Sequence, residues 1–257
     1  NLTTLNSSPL KVNSFINENL LQAYSGGVFC SATLMINDDF RYFREKVGLD
    51  LALIKHNVKE CIYHSPFHYN DQVKLFVFRK SMNVNDPSFI NEVGSQINKV
   101  SSTFKKRMLV LCTSFKQIRS LQNYIEPKFK DNSCKLFVQA PGVSRNVLIS
   151  RYLENSHSIL IGTSSFWEGV DVRGSALTIV VIDKLPFASP ADPLIMARLE
   201  FIRRQGGNGF TGHQLPLAVL ALKQGAGRLL RDELDFGVVV LCDPRISSRN
   251  YGSVFLD

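Results

Sequence analysis

Apolar residues along this chain fall in short unbroken runs separated by stretches of helical periodicity. Residues 28–32, 73–78, 108–113, 135–139, 159–162, 177–183 and 238–243 read as strands. Several are continuously apolar rather than alternating, the pattern of strands covered on both faces. Residues 115–124, 147–154, 193–205 and 215–230 read as helices, the last with Pro216 near its start, where a missing amide costs nothing. Strand–helix–strand repetition predicts an α/β fold with a mostly parallel sheet and helices on both faces. The first hundred residues are less regular. Residues 38–47 and 89–104 look helical, 64–80 reads as a turn-rich loop entering a strand, and 81–87 reads as a polar surface loop.

Composition narrows the class. Across 257 residues, 44% are hydrophobic and 20% charged, which is globular and excludes disordered and low-complexity chains. No apolar run approaches the roughly 20 residues of a membrane helix, so a membrane partner is not expected. Thirty Lys+Arg against 22 Asp+Glu give a net charge of +8, which permits a polyanionic partner without requiring one. Cys30, Cys61, Cys112, Cys134 and Cys242 stand singly, with no Cys-x-x-Cys pair and no Cys–His cluster. No metal site is expected from them, and they read as buried, reduced thiols of a cytoplasmic protein. The chain starts at Asn1 without a secretory signal, and both ends suggest a piece of something longer.

In open α/β sheets, function concentrates in loops beyond the carboxyl ends of strands. The most informative segment is Gln224-Gly225-Ala226-Gly227-Arg228-Leu229-Leu230-Arg231. If helical throughout, it puts Gln224, Arg228 and Arg231 on one face. Gly225 and Gly227 cost a helix roughly 1 kcal/mol each, so they imply close approach by a backbone or ligand. Two guanidiniums beside such a surface suit a polyphosphate. The alternative is a solvated helix end whose arginines pair with Asp232, Glu233 or Asp235. The acidic run 232–235 itself precedes a strand instead of ending one, and reads as a turn rather than a magnesium box.

Three further junctions carry hydroxyls. At 161–171 a buried strand runs into Thr163, Ser164 and Ser165, then Trp167, Glu168, Gly169 and Asp171. Hydroxyls and free amides there hold a phosphate backbone without reading bases. Glu168 and Asp171 suit hydrogen bonds from a ribose or an arginine. Otherwise Glu168 is a lysine's partner, and Trp167 reads as a core anchor in either case. Thr113 and Ser114 end another strand, where capping of the next helix is the plainer role. Ser31, Ala32 and Thr33 end the first.

Taken together and in order, these segments resemble the motifs of superfamily 2 helicases. Residues 31–33 match motif III, 112–115 motif IV, 165–171 motif V and 224–231 motif VI. The wording of motif V, the following Lys184-Leu185-Pro186-Phe187, Ser65-Pro66-Phe67, Asp243-Pro244-Arg245 and Tyr251-Gly252 resemble the DinG/XPD (Rad3-like) branch, with its bacterial DinG-like members nearest. The resemblance implies a motor of two RecA-like domains, with ATP between them and single-stranded DNA across their faces, moving 5′ to 3′ and separating duplexes in repair or replication. Position by position, it makes Arg228 and Arg231 arginine fingers, with Gln224 and Gly227 beside them. Glu168, Gly169 and Asp171 line the ATP cleft. Thr113, Ser114, Thr163 and Ser164 contact the DNA backbone, and Ser31 and Thr33 couple hydrolysis to domain movement.

The same resemblance implies what this chain lacks. No Gly-Lys dipeptide occurs in it, so no P-loop is expected. Residues 1–35 then read as the end of the first motor domain and 36–257 as the second. ATP with Mg²⁺ would be held mainly by the N-terminal half, which also carries the family's iron–sulfur cysteines where present. The expected partners are single-stranded and forked DNA, the protein's own N-terminal helicase domain and replication or repair proteins, at a bacterial nucleoid. The chain alone should not hydrolyse ATP. Two rivals remain on the residues: a non-catalytic RecA-like module binding nucleic acid or protein, and an RNA helicase or translocase.

Overall fold

The computed structural model describes residues 7–36, 38–50, 58–80, 82–129, 134–163, 177–227, 229–230 and 232–256. The chain divides into two compact units, one of residues 65–186 and 221–257, the other of residues 1–64 and 187–220.

The larger unit is built on β1 (Val73–Val77), β2 (Met108–Leu111), β3 (Lys135–Val138), β4 (Ser158–Gly162), β5 (Ile179–Ile182) and β6 (Gly237–Leu241). They form one sheet of order β1-β6-β5-β2-β4-β3. Every neighbouring pair is parallel. The expected RecA-like α/β arrangement is therefore present. Strands β2, β4 and β5 are buried along their whole length, which explains why they read as unbroken Val, Ile and Leu runs. Alternate residues Met108, Val110, Ile159, Ile161, Ile179 and Val181 pack with Phe89, Val93 and Ile97 of helix Pro87–Phe104 and Ile118, Leu121 and Ile125 of helix Phe115–Ile125. Leu109, Leu111, Leu160, Val180 and Ile182, on the opposite face, are equally buried. Strand β1 lies at the sheet's edge and leaves Leu75 and Phe76 about half exposed, on opposite faces.

Local chemistry sets the helix ends. Asp86 accepts the Ser88 amide at 2.8 Å, and Pro87 occupies the first helical position. Ser114 Oγ accepts the Gln117 amide at 3.2 Å. In the smaller unit, Asp192 caps helix Pro193–Arg204 by accepting the Leu194 and Ile195 amides. Helix Arg41–Val47 begins later than the pattern predicts, because Asp38 takes a left-handed φ of 56° and Asp39 accepts the Arg41 amide. Gly48 ends it at φ 80°.

Three readings are corrected. Residues 28–32 are not a strand: no described residue pairs with their backbone, and Val28 is 91% exposed. An apolar run becomes a strand only beside a partner strand. For the same reason Cys30 is exposed, as is Cys61, whereas Cys112, Cys134 and Cys242 are buried. The last long helix spans Leu215–Ala226 and not 215–230. Gly227 makes a turn with its amide on the Lys223 carbonyl, and Leu229 closes back on Ala226.

Candidate functional site

A parallel sheet brings the carboxyl ends of all its strands to one edge, and two buried acids stand there on adjacent strands. Asp183 follows β5 and Asp243 lies just beyond β6; each is 1% exposed. Asp183 Oδ1 accepts the Lys184 amide at 2.5 Å, and the Thr113 amide at the end of β2 also faces this carboxylate. Its Oδ2 has no hydrogen-bond partner. Burial, reinforced by the charge of Asp243, lifts the Asp183 pKa to about 7. The thiols of Cys112 and Cys242 flank it, and burial pushes both upward. Burial also lowers the pKa of Lys184, against the pull of Asp183.

Asp243 organises the neighbouring turns. Its Oδ2 accepts the Leu185 amide at 2.8 Å, and Oδ1 accepts the Arg245 amide at 2.9 Å. The Arg245 side chain donates to both carboxylate oxygens through Nε and Nη2. One buried carboxylate thus fixes the loop after β5 and the turn after β6. The arrangement shapes a surface and holds no nucleophile. Sequence reasoning quoted these residues only for their family likeness. The available signal was an acid ending an apolar run with a cation one or two residues on, in both 179–184 and 238–245.

The hydroxyl residues lie along the same edge. Thr113 and Ser114 are exposed at the end of β2. The Ser114 hydroxyl accepts the Gln117 amide as a helix cap, which leaves its own O–H free to donate. At the end of β4, Thr163 donates its amide and hydroxyl to Gln139 Oε1 at 2.7 and 3.0 Å, tying β4 to the end of β3. Gln224 is exposed in the last turn of helix Leu215–Ala226, and Gly227 follows it. A Cβ on Gly227 would stand 3.0 Å from the Lys223 carbonyl oxygen, so the turn itself favours a glycine there. Ser164, Trp167, Glu168, Gly169, Asp171, Arg228 and Arg231 lie outside the described residues.

Ser31 and Thr33 belong to the smaller unit. Their hydroxyls are 3.3 Å apart, and the Thr33 amide donates to Ser31 Oγ at 3.2 Å in a tight hydroxyl turn. The acidic run is a turn as expected: Asp232 and Asp235 close on each other, and Gln72 Nε2 donates to the carbonyls of Glu233 and Asp235.

Among the described residues no group of His, Cys, Asp or Glu could hold a metal ion. Backbone amides and cations already engage Asp183 and Asp243. The described residues therefore do not fit a magnesium–triphosphate centre on their own. Nor is any helix among them long and apolar enough to cross a membrane.

Comparison with known proteins agrees with this layout. Residues 97–257 match the helicase C-terminal domain family. The chain is 41% identical over 252 residues to the ATP-dependent DNA helicase YoaA of Haemophilus influenzae, covering 98% of this chain and 38% of that protein. It is 31% identical over 261 residues to a Bacillus subtilis protein named 3′-5′ exonuclease DinG, covering 100% of this chain and 28% of that one. The chain thus spans well under half the length of these curated relatives. Among solved structures, an XPD helicase superposes with a TM-score of 0.58 at 18% identity, over 72% of this chain and 34% of that one. That likeness concerns the fold.

Proposed function

The chain belongs to the helicase C-terminal domain family, in its DinG/XPD-like branch, and from that premise we propose that it is the second motor domain of an ATP-dependent DNA helicase. The observation that carries this reading is the gathering of Thr113, Ser114 and Thr163 at the carboxyl ends of β2 and β4 in one parallel sheet. Hydroxyls and amides along such an edge suit the sugar–phosphate track of a single strand, which needs holding without base readout. The buried Asp183 and Asp243 keep that edge in shape.

ATP enters as a substrate carried by another part of the longer protein, with its Mg²⁺. Arg228 and Arg231 act as arginine fingers, supplying positive charge to the phosphoryl group in transfer. Gln224, Gly227, Glu168, Gly169 and Asp171 complete the cleft from this side, and Ser164 joins the DNA contacts. Ser31 and Thr33 couple hydrolysis to movement. The motor runs 5′ to 3′ on single-stranded DNA and opens forks; this chain alone does not hydrolyse ATP.

The test is strand separation by the full-length protein on forked duplexes with a single 5′ or 3′ tail, with ATP hydrolysis followed in parallel. DNA-stimulated hydrolysis with unwinding only from the 5′ tail supports the reading. Hydrolysis stimulated equally by RNA, or absent altogether, sinks it.

A further inference from the structure

The smaller unit contains a polar cluster to which nothing above gives a role. Helix Arg41–Val47 carries Tyr42 and Lys46 one turn apart, so both point the same way. They face Arg198 of helix Pro193–Arg204 and His213 of the following turn, Phe210–Gln214. His213 is 2% exposed. Lys46 Nζ lies 3.1 Å from His213 Nδ1 and 5.3 Å from the centre of the Tyr42 ring.

The hydrogen bonds fix the chemistry. An ammonium can only donate, so Lys46 makes His213 Nδ1 the acceptor and places the imidazole proton on Nε2. His213 Nε2, Arg198 Nε and the Tyr42 hydroxyl are all buried and have no partner. Three donors are therefore left unsatisfied beside two fixed cations. Four of the unit's carboxylates are spent elsewhere: Asp39 pairs with Arg41, Asp50 and Glu60 with Arg44, and Glu200 with Arg203 and Arg204. Among the described residues no acid pairs with Lys46 or Arg198. Glu45 is the one carboxylate whose charge reaches Lys46, while Lys11 adds a further positive charge. Burial first, then Lys46 and Arg198, hold His213 neutral, with its pKa lowered to about 4.

Buried donors and cations gathered in one cluster without an acceptor call for an anion, since a buried unpaired donor costs about 1–3 kcal/mol. We propose that Lys46, Arg198, His213 and Tyr42 form a binding site for a phosphate oxyanion, either a nucleic-acid phosphodiester or free phosphate. The planar guanidinium, the ammonium, the imidazole Nε2–H and the phenol match the several acceptor oxygens of such a group. If a phosphodiester fills the site, it adds a nucleic-acid contact in the smaller unit and rests there on the DNA reading; if free phosphate fills it, it does not.

The experiment uses the full-length protein, Lys46→Gln, Arg198→Gln, and Arg203→Gln as a control for charge lost from the same helix. Binding of fluorescent dT20 is measured across NaCl concentrations, and thermal stability is measured in sodium phosphate against sodium chloride at equal ionic strength. Weaker dT20 binding in Lys46→Gln and Arg198→Gln, with a salt slope shallower by about 0.7, supports the site with a phosphodiester in it. Stabilisation of the wild type by phosphate over chloride, lost in both variants while dT20 binding is unchanged, supports it with free phosphate as the ligand. Neither effect, or the same effects in Arg203→Gln, overturns the proposal. The wild-type comparison of phosphate with chloride stands even if a variant fails to fold. Unchanged dT20 binding in both variants with no phosphate effect removes this site alone; failure of the wild type to bind dT20 removes the DNA reading.

Discussion

Arg245 lays its guanidinium along both carboxylate oxygens of Asp243, with Nε 2.9 Å from Oδ1 and Nη2 2.6 Å from Oδ2. The carboxylate is 2% exposed and the guanidinium 28%, so the pair is screened little by water. Removing one partner leaves the other buried and uncompensated, which typically costs about 3–5 kcal/mol. Asp243→Asn is expected to lose much of that, and Asp243→Ala more, because the Leu185 and Arg245 amides lose their acceptor as well. Urea unfolding followed by circular dichroism measures it; a loss below about 1 kcal/mol for Asp243→Ala would contradict the role of this carboxylate.

Asp183 predicts a pH dependence of defined sign. Its pKa is about 7 when folded, against 3.8 for the ordinary side chain, so the native state holds a proton that the unfolded chain gives up. Stability therefore falls as pH rises from about 4 to 7, by about 4 kcal/mol over the full window from this group. Asp183→Asn should flatten that fall and be more stable than the wild type at pH 8. Melting temperatures of both proteins from pH 5 to 8 decide it, and parallel curves would count against it.

Gly94 of helix Pro87–Phe104 packs against Tyr124 of helix Phe115–Ile125. A methyl there would overlap the ring of Tyr124, which Lys128 caps from above at 3.7 Å. Gly94→Ala should cost roughly 1–3 kcal/mol despite the better helix propensity of alanine, because overpacking outweighs it. A rise in the denaturation midpoint would show that the ring moves aside freely.

The arginine assignments are tested in the full-length enzyme. Arg231→Ala and Arg228→Ala should each lower kcat for DNA-stimulated ATP hydrolysis by about 10³-fold or more, leaving affinity for single-stranded DNA within a few fold. Normal hydrolysis by either variant removes that arginine from the cleft.

Strands β2, β4, β5 and β6 were legible because each is built on a continuous run of Val, Ile and Leu ended by a polar turn. Residues 28–32, Val-Phe-Cys-Ser-Ala, open on apolar side chains and form no strand, since a run of side chains carries no information about a neighbouring backbone. The end of helix Leu215–Ala226 was legible in Gly225 and Gly227, the two poorest helix formers of that segment. The hydroxyl residues were found by their position after strands. The Asp183–Asp243 pair was overlooked because single acids at strand ends are ordinary until the sheet order makes β5 and β6 neighbours. The Lys46–His213 contact joins residues 167 apart, and no local pattern marks either.

The thiols of Cys112 and Cys242, sealed beside Asp183, give this edge of the sheet its own clock. Cys30 and Cys61 are exposed, whereas the other three cysteines are enclosed. Burial keeps Cys112 and Cys242 as unreactive thiols, so an alkylating reagent can reach them only when strands β2 and β6 part from their neighbours. The rate at which they become modified therefore measures how often the proposed DNA-facing edge comes open, without any label having to be introduced.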